Sequence, residues 1–173
     1  MNTSYVLSFS AQDKPGIVEL LSNTISSNGG NWLESAMSHL AGRFVGIVVV
    51  DVAEESAGAL VEATAGLSSQ GITISFEVIE DEVHEETEYL ALDIELTGHD
   101  RPGIVRDIAS ALTNQGANIE DLSTELVSGS MSAELLFKAD IHVSVKTTAD
   151  LDDLQEAIEA IAEDLMVDIN ITS

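Results

Sequence analysis

Cysteine is absent from the 173 residues, which removes disulfides, thiolate zinc sites, iron–sulfur clusters and a cysteine nucleophile from consideration. Basic residues are scarce. Lys14, Arg43, Arg101, Arg106, Lys138 and Lys146 stand against 31 acidic side chains, for a formal charge of −25. Nucleic-acid binding replaces phosphate counterions with Lys and Arg, so a chain this poor in them is not expected to contact DNA directly. No stretch approaches the ~18 consecutive apolar residues of a membrane span. The opening Met1-Asn2-Thr3-Ser4 also lacks the basic region of a signal peptide. A cytoplasmic protein without membrane contact is expected.

Apolar residues make up 45% of the chain and charged residues 21%, the proportions of a protein with a packed core. The central feature is an internal repeat. Asp13-Lys14-Pro15-Gly16-Ile17-Val18 recurs 87 residues later as Asp100-Arg101-Pro102-Gly103-Ile104-Val105, and the same spacing carries Gly29 onto Gly116 and Asn31 onto Asn118. Two copies are therefore placed at residues 1–79 and 88–173, separated by an acidic linker at 80–87. The charge divides as −6 before residue 80, −6 over 80–88 and −13 after it. This acidity reads as a solvated surface that maintains solubility, with an electrostatic face for a basic partner as the alternative.

Each copy reads in the same order. Leu90, Leu92, Ile94 and Leu96 alternate with polar residues as a half-covered strand does, and Tyr5, Leu7 and Phe9 repeat the pattern. The Asp-x-Pro-Gly turn follows, then helices from Ile17 to about Ser27 and from Ile104 to about Asn114. Proline is tolerated in a first helical turn, the preceding Asp is expected to cap the free donors, and Gly29 and Gly116 suit a left-handed C-terminal cap. Strands are expected at Trp32 to Leu40, Phe44 to Val52, Ile119 to Val127 and Leu135 to Val145. A second helix in each copy comes next, clearest in Leu151, Leu154, Ile158, Ile161 and Leu165. Asp150, Asp152 and Asp153 at its start read as caps, not metal ligands. Last strands are expected at Ile72 to Ile79 and Met166 to Ile171. The class is α+β: two tandem ferredoxin-like βαββαβ domains, each an antiparallel sheet with its helices on one face.

Amide groups of Gly16, Ile17 and Val18, and of Gly103, Ile104 and Val105, should open from a helix start towards the turn, where an α-carboxylate would fit. Asp13 or Asp100 would accept from an α-ammonium, and Lys14 or Arg101 would add a cation near the carboxylate. An ordinary strand-to-helix turn explains the same residues at least as well. Asn31 and Asn118, just past the first helix of each copy, suit turn positions better than ligand contacts. Trp32 is either core or the roof of a pocket.

The D-[KR]-P-G-I-V turn within a βαββαβ unit resembles the ACT domain, a regulatory module that binds small molecules. Two copies covering nearly the whole chain resemble the glycine cleavage system transcriptional repressor family. The resemblance implies ligand sites where paired ACT domains meet, between the turn of one and the second strand of its neighbour. Carried over, these are Asp13, Pro15, Gly16, Ile17 and Asn31, and Asp100, Pro102, Gly103, Ile104 and Asn118. It further implies a small amino acid such as glycine as ligand, a DNA-binding activator protein as partner, a homodimer, and no cofactor. Copy two departs from copy one in a longer connection around Ser128-Gly129-Ser130-Met131-Ser132, so the two sites are not expected to be equivalent.

No phosphate-loop lysine, His-Glu-x-x-His or nucleophile elbow occurs, and the four histidines are scattered, so an enzyme is not expected. The competing class is an ACT-like dimerisation module with no metabolite ligand. Cation binding by the acidic linker with His84 ranks below both, because flexible carboxylates without a Gly-turned loop hold metals weakly.

Overall fold

The computed structural model describes residues 2–79, 88–128, 135–147, 151–165 and 167–172. The expected linker at 80–87, the connection at 129–134, Asp150 and Met166 lie outside the described residues, as do the side chains of Leu151, Ile161 and Leu165. The chain divides into two compact units, Met1–Val83 and His84–Ser173.

In the first unit β1 (Asn2–Gln12) leads into α1 (Ile17–Ser27), β2 (Gly30–Leu40), β3 (Arg43–Ala53), α2 (Glu54–Gly66), a 3-10 turn (Leu67–Gln70) and β4 (Ile72–Val78). In the second, β5 (Tyr89–His99) is followed by α3 (Ile104–Asn114), β6 (Asn118–Ser128), β7 (Leu135–Lys146), α4 (Leu151–Leu165) and β8 (Val167–Thr172). Both units are βαββαβ, with sheets ordered β2-β3-β1-β4 and β6-β7-β5-β8. All described neighbours are antiparallel.

The period-2 pattern of the strands decides which face is covered. In the first unit Leu7, Phe9, Val48, Val50 and Val52 meet Ile17, Leu21 and Ile25 of α1 and Leu60 of α2. In the second, Leu92, Ile94, Leu96, Ile141, Val143 and Val145 meet Ile104, Ile108 and Leu112 of α3 and Leu154 and Ile158 of α4. Burying one such side chain contributes about 1.5–3 kcal/mol, so each unit has a core of its own. Gly46 permits the closest approach within the first core: a Cβ there would fall 2.7 Å from Met37 and 2.9 Å from the Phe9 ring.

The helix ends agree with the sequence reading at one terminus and correct it at the other. Gly29 (φ +77°) and Gly116 (φ +73°) follow α1 and α3 in the left-handed region, and their amides donate to Ser26 and Thr113. At the starts, the residue flanking each helix is Gly16 or Gly103, with no side-chain cap. Pro15 and Pro102 therefore lie in the turn and not in the first helical turn, and neither Asp caps the helix. A glycine at φ +92° or +88° bends the chain so sharply into the helix that an Asp three residues back no longer occupies the capping position. β2 and β6 begin earlier than expected, so Asn31 and Asn118 are strand residues and not turn residues.

Candidate functional site in the two strand-to-helix turns

In the first copy Asp13, Lys14, Pro15 and Gly16 are all exposed, and Ile17 is buried in the core. Ile17 thus anchors the helix start, and its side chain is not available to a ligand. The Asp13 amide donates to the Gly42 carbonyl at 2.9 Å, which ties the turn to the β2–β3 hairpin. Lys14 Nζ reaches the Gln70 carbonyl at 3.3 Å, and two of its three donors remain for other partners. No atom comes within 4 Å of a Cβ built on Gly16. A cavity of about 320 Å³ opens there, lined by Asp13, Lys14, Gly16, Ile17, Val18, Glu19 and Phe44. Amides at the start of an α-helix have no partner four residues back, so this cavity combines open donors, one ammonium and two carboxylates.

The second copy fills the same place with its own side chains. Arg101 Nη2 lies 2.8 Å from Asp107 Oδ2, and Arg106 donates from Nε and Nη2 to Asp107 Oδ1 at 2.9 and 2.8 Å. The hydrogen bonds from Arg106 and then Arg101, reinforced by their charge, hold the Asp107 carboxyl below its usual range. The Arg106 guanidinium stands 3.0 Å from where a Cβ on Gly103 would be, and the Ile104 amide closes onto the Arg101 carbonyl at 3.4 Å. Glu19 and Leu20 hold the positions of Arg106 and Asp107 in the first copy, so no such latch forms there.

The register separates the asparagines from the turns within each copy. Asn31 pairs with Asp51, which lies opposite Ser4 on β1, eight residues or roughly 26 Å of strand from the end of β1 where the turn begins. Asn118 stands opposite Ser144 in the corresponding place. Asp13, Pro15, Gly16 and Ile17 are thus brought together, as are Asp100, Pro102, Gly103 and Ile104, but neither group is joined by the Asn of its own copy.

Beside each Asn is a β-bulge that the sequence reading missed. The register slips between Trp32 and Glu34 and again between Ile119 and Asp121, leaving Leu33 and Glu120 as the extra residues. Glu120 accepts from Ser144 Oγ and, at 2.7 Å, from Asn118 Nδ2. These bonds, with the charge of His142, lower its carboxyl below the ordinary value. His142 Nδ1 lies 2.6 Å from Asp93 Oδ1. Asn118 is therefore engaged within its own unit, whereas Asn31 makes no side-chain hydrogen bond among the described residues. Arg106, Asp107, Glu19, Phe44 and Glu120 are the residues the sequence reading did not select. The one available signal was the break in the repeat after Val18 and Val105.

ACT-domain family models match residues 4–77 and 86–163. The chain is a tandem ACT-domain protein. ACT repeats account for both units, and the turns described above are their strand-to-helix connections. Among solved structures, this ACT pair is similar to a protein of unknown function from Galdieria sulphuraria, at 25% identity and a TM-score of 0.87, covering 99% of this chain and 98% of that one. It is also similar to a candidate glycine cleavage system transcriptional repressor, at 16% identity and a TM-score of 0.75, covering 99% of this chain and 97% of that one. The second likeness is one of fold. No curated protein sequence matches the chain.

Proposed function

We propose that this tandem ACT protein is a non-enzymatic regulator that binds a small amino acid, glycine being the first candidate, and conveys its presence to a transcriptional regulator by protein–protein contact. The observation that carries the reading is the open first turn, where unpaired helix-start amides, Lys14, Asp13 and Glu19 meet around one cavity. A zwitterion matches that set: its carboxylate suits the amides and Lys14, and its ammonium suits Asp13 or Glu19. Fold likeness to a candidate transcriptional repressor supports the regulatory role. The charge of −25 supports a route through a DNA-binding activator protein and not through DNA itself.

Because the turn and Asn31 lie at opposite ends of one sheet, the complete site in this reading takes the turn of one chain and the Asn31 of a second chain, with a homodimer as the working form. Binding alters regulation only if the ligand prefers one state of the protein over another. The second turn, latched by Arg101, Arg106 and Asp107, does not bind in the resting protein.

A specific observation favours one rival reading. In that same latch an ACT turn of this chain is occupied by its own side chains, as it would be in a module used only for association. A thermal-shift screen of the whole chain against the common amino acids separates the two. Selective stabilisation by a small amino acid supports sensing, and no shift with any at millimolar concentration supports the association module.

A further inference from the structure

The two sheets differ on the face turned away from their helices. A sheet with one face in water normally places polar or charged residues there. The second sheet does so: Asp93, Lys138, Asp140 and His142 stand on its open face. The first sheet has Val6, Val45, Ile47 and Val49 at the equivalent positions, with Val45 at 40% and Ile47 at 50% exposure. Around them lie Ala36, Ser38, Ser8 and Ser10, so the two central rows of this face carry no charge in a chain of net charge −25. A contiguous apolar patch of this kind marks an interaction surface.

We propose that the open face of the first sheet is a self-association surface, and that its occupant is the same face of a second copy. Charge placement supports this occupant. Arg43 stands at one end of the face, with its Nη2 held over it by a 2.6 Å hydrogen bond to Ser10 Oγ. Glu34 and Glu77 flank the row of Val49 and Val6 towards the other end, six residues or roughly 20 Å of strand away. A two-fold axis running across the strands lays each copy's Arg43 over the other's row of Val49 and Val6, between Glu34 and Glu77, an isologous contact in which both ends are matched. Three strands of 11 residues and one of 7, about 4.8 Å apart, cover roughly 600 Å². Two such faces bury roughly 1,200 Å² in all, at the lower bound of specific interfaces, so association in the micromolar range is expected. This surface is separate from both turns and does not depend on whether they bind an amino acid.

Sedimentation of the full chain across the micromolar range tests the proposal, with Ile47→Glu and Ala36→Glu as variants and circular dichroism to verify folding. Wild-type dimers, weakened at least roughly tenfold in whichever variant is folded, are the expected result. A wild-type chain that stays monomeric overturns the proposal, and so does a dimer that persists in a folded variant, since its contact then lies elsewhere. Mixing Arg43→Glu with Glu77→Arg tests the orientation, because only the mixed pair restores both contacts. The mixture is expected to associate more tightly than either variant alone, and failure to do so overturns the two-fold arrangement.

Discussion

Arg101 places its guanidinium 2.8 Å from the Asp107 carboxylate, so the basic residue of the second turn is held by its own helix. Its counterpart Lys14 bonds only a carbonyl at the edge of an open cavity. One sequence motif thus occurs in two electrostatic states. The difference comes from the residues two and three places after Ile17 and Ile104, where Glu19-Leu20 faces Arg106-Asp107.

If the latch closes the second turn, transplanting the first copy's residues should open it. The double variant Arg106→Glu, Asp107→Leu is expected to raise the number of amino-acid sites per chain from one to two by calorimetry. An unchanged stoichiometry would show that something other than the latch disables the second copy.

The His142–Asp93 pair sets a pH dependence. The hydrogen bond to Asp93 and the charges of Asp93, Glu120 and Asp121 raise the His142 pKa against a smaller opposing effect of desolvation. Its folded value lies above the unfolded value of about 6.5, so its stabilisation is full below about pH 6.5 and is lost as pH rises through the folded value. Asp93→Asn is expected to lower the midpoint of the His142 ring titration measured by NMR and to flatten the fall in Tm above neutral pH. A midpoint unaffected by the variant would remove the pair as the cause.

Gly46 offers a packing test that is independent of any ligand. A Cβ there would meet Met37 at 2.7 Å, the Ala36 carbonyl at 2.8 Å and Phe9 at 2.9 Å. Gly46→Ala is expected to destabilise the protein by about 1–3 kcal/mol, the range for overpacking a fitted core. Urea denaturation reads this directly, and a variant as stable as the parent would show that the β2–β3 hairpin gives way.

The sequence made the fold legible because its signals are local. Alternation in Leu90 to Leu96, three-and-four spacing in the last helix and glycines after α1 and α3 each act within a few residues, and the repeat confirmed their order. The helices start at Ile17 and Ile104 as read, but their caps were misread because Gly16 and Gly103 take a positive φ that moves the preceding Asp away from the helix end, and composition carries no record of that angle. The bulges at Leu33 and Glu120 arise from pairing with residues 15 or more positions away along the chain, so no local pattern announces them. The latch is a matter of side-chain direction, since Arg106 and Asp107 lie outside the repeated motif and turn back onto it only in the folded chain.

Calorimetry of the full chain with glycine and other small amino acids, on the parent and on Gly16→Val and Gly103→Val, tests the central claim most directly. A side chain at φ +92° strains the turn and projects into the space that Gly16 leaves open. Binding by the parent, loss in a folded Gly16→Val variant and retention in Gly103→Val are expected. Binding that survives Gly16→Val, or a parent that binds no amino acid, would contradict it.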